Sequence, residues 1–179
     1  MKQKILDIDP SEEVELVVKR HSIGLIPIFG FGLLITVLFV GFSIFASTND
    51  TIIPAQLPNV LISIFMVVLA GLTLVGTLIS ARIYKTNELI VTNENLIQII
   101  QTSLFSRKIS QLSLEKVQDV TVTQQGMSQT MFNYGTIFIE TAGETANFGF
   151  PYAKDPITAA KHVNEAHERF IKKFGIDVV

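Results

Sequence analysis

Two long apolar runs occupy the first half of the chain, and only one charged residue, Asp50, lies between positions 23 and 81. The first run covers residues 23–46, and sixteen of its 24 residues are Leu, Ile, Phe or Val. As a helix it would extend roughly 36 Å, which exceeds a hydrocarbon core of about 30 Å. The second run, residues 57–81, has the same character. The pattern predicts a transmembrane hairpin: two membrane-spanning helices joined by an external loop at residues 47–56.

Basic residues flank this hairpin on its outer sides. Lys19 and Arg20 precede the first run, and Arg82 and Lys85 follow the second, whereas the loop contains no basic residue. Because cytoplasmic flanks carry the excess of Lys and Arg, we expect both termini to be cytoplasmic. The first run is too long for a cleaved signal sequence and follows an acidic segment, so we interpret it as a retained anchor.

Small residues recur within the two runs at helical spacing. Gly32 and Thr36 lie four apart in the first run, and Thr73 and Thr77 lie four apart in the second. Such residues let helices approach closely in a membrane, so we expect them at a helix packing interface. The pattern leaves open packing inside one chain, dimerisation and a moving hinge. Neither run contains an ionisable residue, so an ion path or proton relay lacks its usual groups.

After Glu88 the pattern changes to short segments of β-branched and aromatic residues separated by turn residues. This pattern is typical of an antiparallel β domain, which we place at residues 82–179. Six strands are predicted, at residues 88–92, 96–101, 107–114, 117–124, 135–141 and 145–150.

The chain then predicts one amphipathic helix over residues 156–174. Asp155 suits its N-cap, Pro156 its first position and Gly175 its stop. The polar face offers two ion pairs at i,i+4 spacing. These pairs are Glu165 with Arg169 and Glu168 with Lys172. The opposite face is apolar, so we expect the helix to pack against the sheet.

The N-terminal arm, residues 1–22, has two possible structures. It could begin a helix at Ser11, or it could form a strand with Val14, Leu16 and Val18 on one face. Its apolar side chains could lie on lipid headgroups or dock against the β domain.

Five segments of the chain also carry a family resemblance. They are residues 17–21, 86–92, 103–109, 114–120 and 132–139. In amino-acid sequence and in order they resemble the successive blocks of bacterial pleckstrin-homology-like (PH-like) membrane-flanked proteins, and the resemblance extends over residues 12–173. The resemblance implies a mainly-β PH-like domain with two roughly orthogonal antiparallel sheets, six or seven strands and a C-terminal capping helix. Residues 82–86 are a candidate for the seventh strand. It also implies a multi-pass protein of the bacterial cytoplasmic (inner) membrane, and it transfers no catalytic residue.

A metal site is one candidate chemistry, because His162, Glu165 and His167 crowd one helix. The two histidines are five residues apart, about 140° around the helix, and match no metalloprotease motif. We therefore expect His167 to be a hydrogen-bonded residue at the core boundary, and we predict no metal and no cofactor.

Two surface candidates remain. The segment around Met127, Met131, Phe132 and Tyr134 lies between strands yet is rich in large side chains, so it either covers the core or contacts a partner or membrane. The basic residues Lys85, Arg107 and Lys108 form a weaker candidate for headgroup contact.

The remaining composition narrows the function. Residues 82–179 hold ten basic and ten acidic residues, so nucleic-acid binding is not expected. The chain has no cysteine, and no nucleophile elbow, phosphate-binding loop or carboxylate pair appears. We predict a non-catalytic membrane-anchored binding or scaffold protein, with the bilayer and a protein or a second copy as partners. The alternative is a small oligomeric membrane component, a transport or envelope-stress accessory, that assembles through its hairpin.

Overall fold

The computed structural model describes residues 12–48, 59–141 and 148–175, and these form two compact units. One unit is a helical hairpin, Ser22–Tyr84. The other is a β domain assembled from the segments on both sides of the hairpin. The helices are α1 (Leu25–Thr48), α2 (Asn59–Thr86), α3 (Gly126–Met131) and α4 (Pro156–Phe174), with 3-10 turns at Ser22–Gly24 and Leu114–Lys116. The strands are β1 (Val14–Lys19), β2 (Glu88–Thr92), β3 (Asn95–Gln101), β4 (Arg107–Ser113), β5 (Val117–Thr123), β6 (Tyr134–Thr141) and β7 (Phe148–Lys154).

The β domain contains two antiparallel sheets, one with the order β1-β2-β3-β4 and one with the order β5-β6-β7. Apolar side chains from both sheets and from α4 form one core, in which Leu89, Ile137 and Val163 are fully buried. The buried Gln98 also joins the sheets, because its Nε2 donates to the carbonyl of Gly149 at 2.7 Å. The predicted fold class is thereby confirmed: two long apolar helices, two antiparallel sheets and a C-terminal helix.

The seventh strand comes from the N-terminal arm, so the strand interpretation of that arm is correct and the helix interpretation is wrong. β1 pairs with β2, from Val14 opposite Thr92 to Lys19 opposite Glu88. Leu16 and Val18 pack against the core. The arm therefore docks on the β domain, as one of the two predicted arrangements requires.

Hydrogen bonds to the buried side chain of Glu12 hold the residues just before β1 against the β2–β3 turn. Glu12 accepts hydrogen bonds from Thr92 Oγ1 and, at 2.9 Å, from Asn95 Nδ2. The neighbouring Glu13 and Asn93 exchange two further hydrogen bonds of 3.1 Å. Since a buried polar group is costly unless it is hydrogen-bonded, these contacts offset the cost of burying the Glu12 side chain when the arm docks.

Residues 82–86, the sequence candidate for the seventh strand, are instead the last turn of α2, so that prediction is wrong. No Gly or Pro interrupts Ser80–Thr86, and the helix continues through it until Asn87. The last predicted strand also ends later than expected. It continues through Pro151 to Lys154 because β7 is an edge strand, where a missing N–H is tolerated; positions 145–147 lie outside the described residues.

Helix α4 has the predicted bounds, and Gly175 ends it in a left-handed conformation with its N–H donating to the carbonyl of Ile171. Asp155 precedes it but does not cap it through its side chain, which accepts from Asn133 Nδ2 at 3.2 Å. The predicted pair of Glu165 with Arg169 is wrong.

Arg169 pairs instead with Glu15 of β1, because the arm brings that carboxylate beside the helix. Glu168 and Lys172 do pair, at 3.9 Å, and Glu165 pairs with Lys161 at 3.7 Å.

The helical hairpin meets the requirements for a membrane span by length and composition. Ser22–Thr48 and Val60–Thr86 are both long and apolar enough to cross a bilayer. The loop that connects α1 to α2, residues 49–58, lies outside the described residues.

Candidate functional site

One end of the β domain is the point at which the chain leaves the domain and returns to it. β1 runs toward His21, and β2 starts at Glu88, opposite Lys19. We refer to this end as the junction end, and to the opposite end, which holds the β2–β3 turn, as the far end. Both chain connections to the hairpin therefore leave from one end of one sheet.

Two further segments reach the junction end. The first is the β3–β4 turn, residues 102–106, because β3 runs antiparallel to β2 and the N–H of Gln101 donates to Asn87 Oδ1 at 2.6 Å. The second is the β5–β6 connection, which contains α3. It is placed there because the N–H of His21 donates to the carbonyl of Tyr152 at 2.6 Å, and β7 ends beside the start of β6.

An aromatic stack joins these segments. The ring of Tyr134 lies between His21, with 5.3 Å between ring centroids, and Tyr152, at 5.9 Å. Its hydroxyl lies 2.9 Å from Ser128 Oγ in α3. Tyr134, one of the predicted contact residues, is buried and lies beneath the exposed side chains of this segment.

The backbone beneath this surface is held in an uncommon conformation. Asn133, Tyr152 and Asp155 have φ values of 49°, 57° and 48°. These values lie in the left-handed region, which residues other than Gly seldom adopt. Two hydrogen bonds between Asn133 and Asp155 connect the β5–β6 connection to the end of β7. Asn and Asp adopt this region more often than other residues, but a residue as bulky as Tyr152 does so only where surrounding contacts impose it, so the backbone at Tyr152 is constrained.

The other three predicted contact residues are on the outside. Met127, Met131 and Phe132 are 82%, 65% and 48% exposed, and together they form what we term the α3 surface. Gln125 and Gln129 stabilise the start of the helix through a 2.7 Å hydrogen bond. Since these large side chains do not cover the core, the core interpretation of Met127, Met131 and Phe132 is not supported.

A second exposed apolar feature was not anticipated from the sequence. Leu104 and Phe105, at the apex of the β3–β4 turn, are 51% and 99% exposed. The available signal was a Leu-Phe pair between two serines and outside both predicted strands, where turn residues are usually polar.

The junction end also collects cations. Lys85, Arg107 and Lys108, the predicted headgroup residues, are exposed there, and Lys19 and Lys154 end the adjoining strands. Arg107 and Lys108 begin β4 directly after the apolar turn. The structure therefore brings the three predicted basic residues to one end of the domain.

The four residues predicted to pack helices lie together inside the hairpin. Thr36 Oγ1 and Thr73 Oγ1 are 3.0 Å apart, and a Cβ added at Gly32 would lie 2.1 Å from Thr77 Oγ1. Beyond them, Ser43, Ser47 and Ser63 form a second polar contact, with 2.7 Å between the Ser47 and Ser63 hydroxyls. Sequence reasoning missed this serine group because it does not follow a spacing of four across both helices.

The histidines of α4 have separate surroundings. His167 Nδ1 lies 2.7 Å from the carbonyl oxygen of Leu114, which confirms the predicted hydrogen bond at the core boundary. His162 lies 3.5 Å from Glu165. Within residues 12–48, 59–141 and 148–175, no group of three or more His, Asp or Glu side chains could hold a metal ion.

Comparison with protein families gives one finding. The bacterial PH domain family matches residues 26–167, more than half of the chain. Comparison with curated proteins and with solved structures gives no match. The matched range covers most of the hairpin, strands β2 to β7 and the first two thirds of α4, and it includes four of the five sequence blocks that carry the resemblance. The chain belongs to the bacterial PH domain family.

Proposed function

We propose that this protein is a non-catalytic binding module, anchored by its hairpin in the bacterial cytoplasmic membrane, whose β domain binds a protein partner at the cytoplasmic face. The exposed α3 surface, held on a constrained support, is the observation that carries the proposal.

The anchoring role is supported by which side chains the hairpin exposes. Most of its large apolar residues are exposed, whereas Gly32, Ser43, Ala46 and Ala70 are buried. Helices associate in lipid in this way, because large apolar side chains face the acyl chains while small residues allow close approach. The basic flanks at Lys19 and Lys85 favour a cytoplasmic β domain.

The pairing of β1 with β2 supports the placement of both basic flanks of the hairpin on the same side of the membrane. β1 and β2 are neighbouring strands of one sheet, with Lys19 opposite Glu88, so a spanning hairpin must begin and end on the same face of the membrane. With the positive flanks, this arrangement supports cytoplasmic termini.

A protein is the partner best suited to the α3 surface. Residues 124–134 carry no charge, and the apolar side chains alternate with amides and hydroxyls such as Gln129 and Thr130. Methionine adapts to irregular partner surfaces, and uncharged hydrogen-bonding groups suit a peptide backbone more than phosphate. Anchoring raises the effective concentration of any partner held at the same membrane.

Site-specific photo-crosslinking in cells tests the proposal. A photoreactive amino acid at Met127 or Met131 should capture a defined protein, identified by mass spectrometry, because both side chains are exposed on the α3 surface. Glu115, exposed near the far end, is the matched control position and should not capture that protein. Capture of lipid only, or of nothing, would contradict a protein partner.

A paired substitution checks the same surface without a crosslinker. Replacing Met127 and Phe132 with Ser should weaken recovery of the captured protein while the β domain stays folded, since neither side chain is buried. Unfolding of that variant would show that the segment serves the core.

Assembly through the hairpin is the second candidate function. Assembly through the predicted helix-packing residues is less favoured because Gly32 lies close to Thr77, and Thr36 to Thr73, within a single chain. We therefore prefer the binding module. A fragment of residues 82–179 is not a suitable test, because it lacks β1 and would expose the edge of β2.

A further inference from the structure

The β3–β4 turn presents two apolar side chains at an ordered apex. The N–H groups of Thr102 and Ser103 donate to the carbonyl of Ser106, at 3.1 and 3.3 Å, and the N–H of Ser106 donates to Ser103 Oγ at 3.1 Å. Gln101 Nε2 adds a bond to the carbonyl of Ser103, also at 3.1 Å. The turn therefore holds Leu104 and Phe105 outward through its own hydrogen bonds.

Cations stand directly behind this apex. Arg107 and Lys108 are the first two residues of β4, opposite Gln101 and Ile100, and both are exposed. The corresponding turn at the far end, between β2 and β3, instead carries Glu94 and the docked Glu12 and Glu13. The two ends of this sheet thus differ in both apolar exposure and charge.

Chain connectivity places the apolar, basic turn at the end that the hairpin enters. His21 directly precedes the 3-10 turn that begins at Ser22, and α2 contains Lys85 and ends at Thr86, two residues before β2 begins at Glu88. The junction end is therefore the end of the β domain that lies nearest along the chain to both long apolar helices.

We propose that Leu104 and Phe105 insert into the interfacial region of a bilayer that contains anionic phospholipid, while Arg107 and Lys108 bind its headgroup phosphates. Aromatic and aliphatic side chains on an apex, followed by cations, match a surface that is negative outside and apolar beneath. This pairing of features distinguishes the turn from the α3 surface, which has no cation. The bilayer is consequently a second ligand of the domain, at a site separate from the protein surface.

The proposal rests on the proposed function in one respect, namely that the hairpin spans the membrane. The test distinguishes failure of the membrane anchor from failure of the turn to insert, because it places one label in each region. The chain contains no cysteine, so a single introduced cysteine is labelled specifically. Full-length variants Leu104→Cys, Glu94→Cys and Leu38→Cys, each labelled with an environment-sensitive fluorophore, are reconstituted in nanodiscs. The discs contain phosphatidylglycerol or only phosphatidylcholine, with quencher-bearing acyl chains in both.

The label at position 104 should be quenched in phosphatidylglycerol discs, and the label at position 94 should not. Replacing Arg107 and Lys108 with Gln should lower the apparent affinity for the anionic surface by about fivefold for each cation removed. Replacing Phe105 with Ser should reduce quenching at position 104 as well, because the inserted ring is lost.

The label at Leu38, an outward residue of α1, should be quenched in every disc. Absence of that quenching would contradict the membrane anchor itself. Quenching at position 38 but equal signals at positions 104 and 94 would overturn only the insertion of the turn. Shielding of position 104 that depends on protein concentration and not on lipid would assign the turn to a protein contact, which also overturns the proposal.

Discussion

The hairpin and the β domain use similar apolar residues in opposite ways. In the hairpin, Leu38 and Phe31 are more than half exposed, while Gly32 and Ser43 are buried. In the β domain, Leu89 and Phe150 are buried at 0% and 1% exposure. The same side chains thus face outward in one unit and inward in the other.

This difference indicates that the β domain folds in water and that the hairpin packs in hydrocarbon. Burial of large apolar side chains is the main stabilising contribution to folding in water. Between helices in hydrocarbon that contribution is absent, so close backbone approach and interhelical hydrogen bonds must replace it. Removing volume should therefore damage the β domain, whereas adding volume should damage the hairpin.

The largest effect is expected in the core of the β domain. Phe150→Ala should lower the free energy of unfolding of the domain by about 3–5 kcal/mol, because the buried ring leaves a cavity between the sheets and α4. Pulse proteolysis of the full chain in urea and detergent micelles measures this loss. Phe105→Ala, at the exposed apex, should change stability by no more than about 0.5 kcal/mol. Equal losses for the two phenylalanines would contradict the assigned core.

An intermediate effect is expected inside the hairpin, where adding volume should do the damage. Gly32→Leu should destabilise helix packing by about 1–3 kcal/mol, because its Cβ would overlap Thr77. Disulfide formation between Thr36→Cys and Thr73→Cys in membranes reports the packing, since these hydroxyls are adjacent in the structure. Gly41→Leu is the control, because nothing lies within 4 Å of a Cβ there. Unchanged crosslinking in Gly32→Leu would show that the small residues do not set helix approach.

The smallest effect is expected for one hydroxyl between the helices. Ser63→Ala should weaken helix association by about 0.6 kcal/mol, because Ser63 bonds to both Ser43 and Ser47. The temperature dependence of the same crosslink measures it. Ser80→Ala removes only a bond to Gly76 within α2 and should leave the crosslink unchanged. A larger loss for Ser80 than for Ser63 would contradict the interhelical role.

Much of the candidate site could be predicted, but its exposed and buried members could not be separated. Met127 and Tyr134 both stood out as large residues between strands, yet one is exposed and the other is stacked between His21 and Tyr152. That distinction depends on a contact between residues more than a hundred positions apart. Leu104 and Phe105 were missed because a local pattern does not show whether an apolar turn folds back or points outward.

The features that follow from local composition and periodicity could be predicted directly from the order of residues. The long apolar runs specify two helices, alternation from Glu88 specifies an antiparallel domain, and Pro156 and Gly175 bound the last helix. These features depend on residues a few positions apart, so they can be read along the chain.

The way in which distant segments of the chain pair and share one end of the domain is visible in the tertiary structure alone. The N-terminal arm has an ambiguous pattern of its own, and it becomes β1 because β2 offers an unpaired edge and Thr92 and Asn95 satisfy the buried Glu12. The same pairing places both hairpin connections and the apolar β3–β4 turn at one end of the domain, and the contacts of His21 with Tyr134 and Tyr152 bring the α3 surface to that end. Their shared location could not be read locally, because it depends on pairing between distant segments. The backbone hydrogen bonds between β1 and β2 join two strands that the chain separates by about 70 residues.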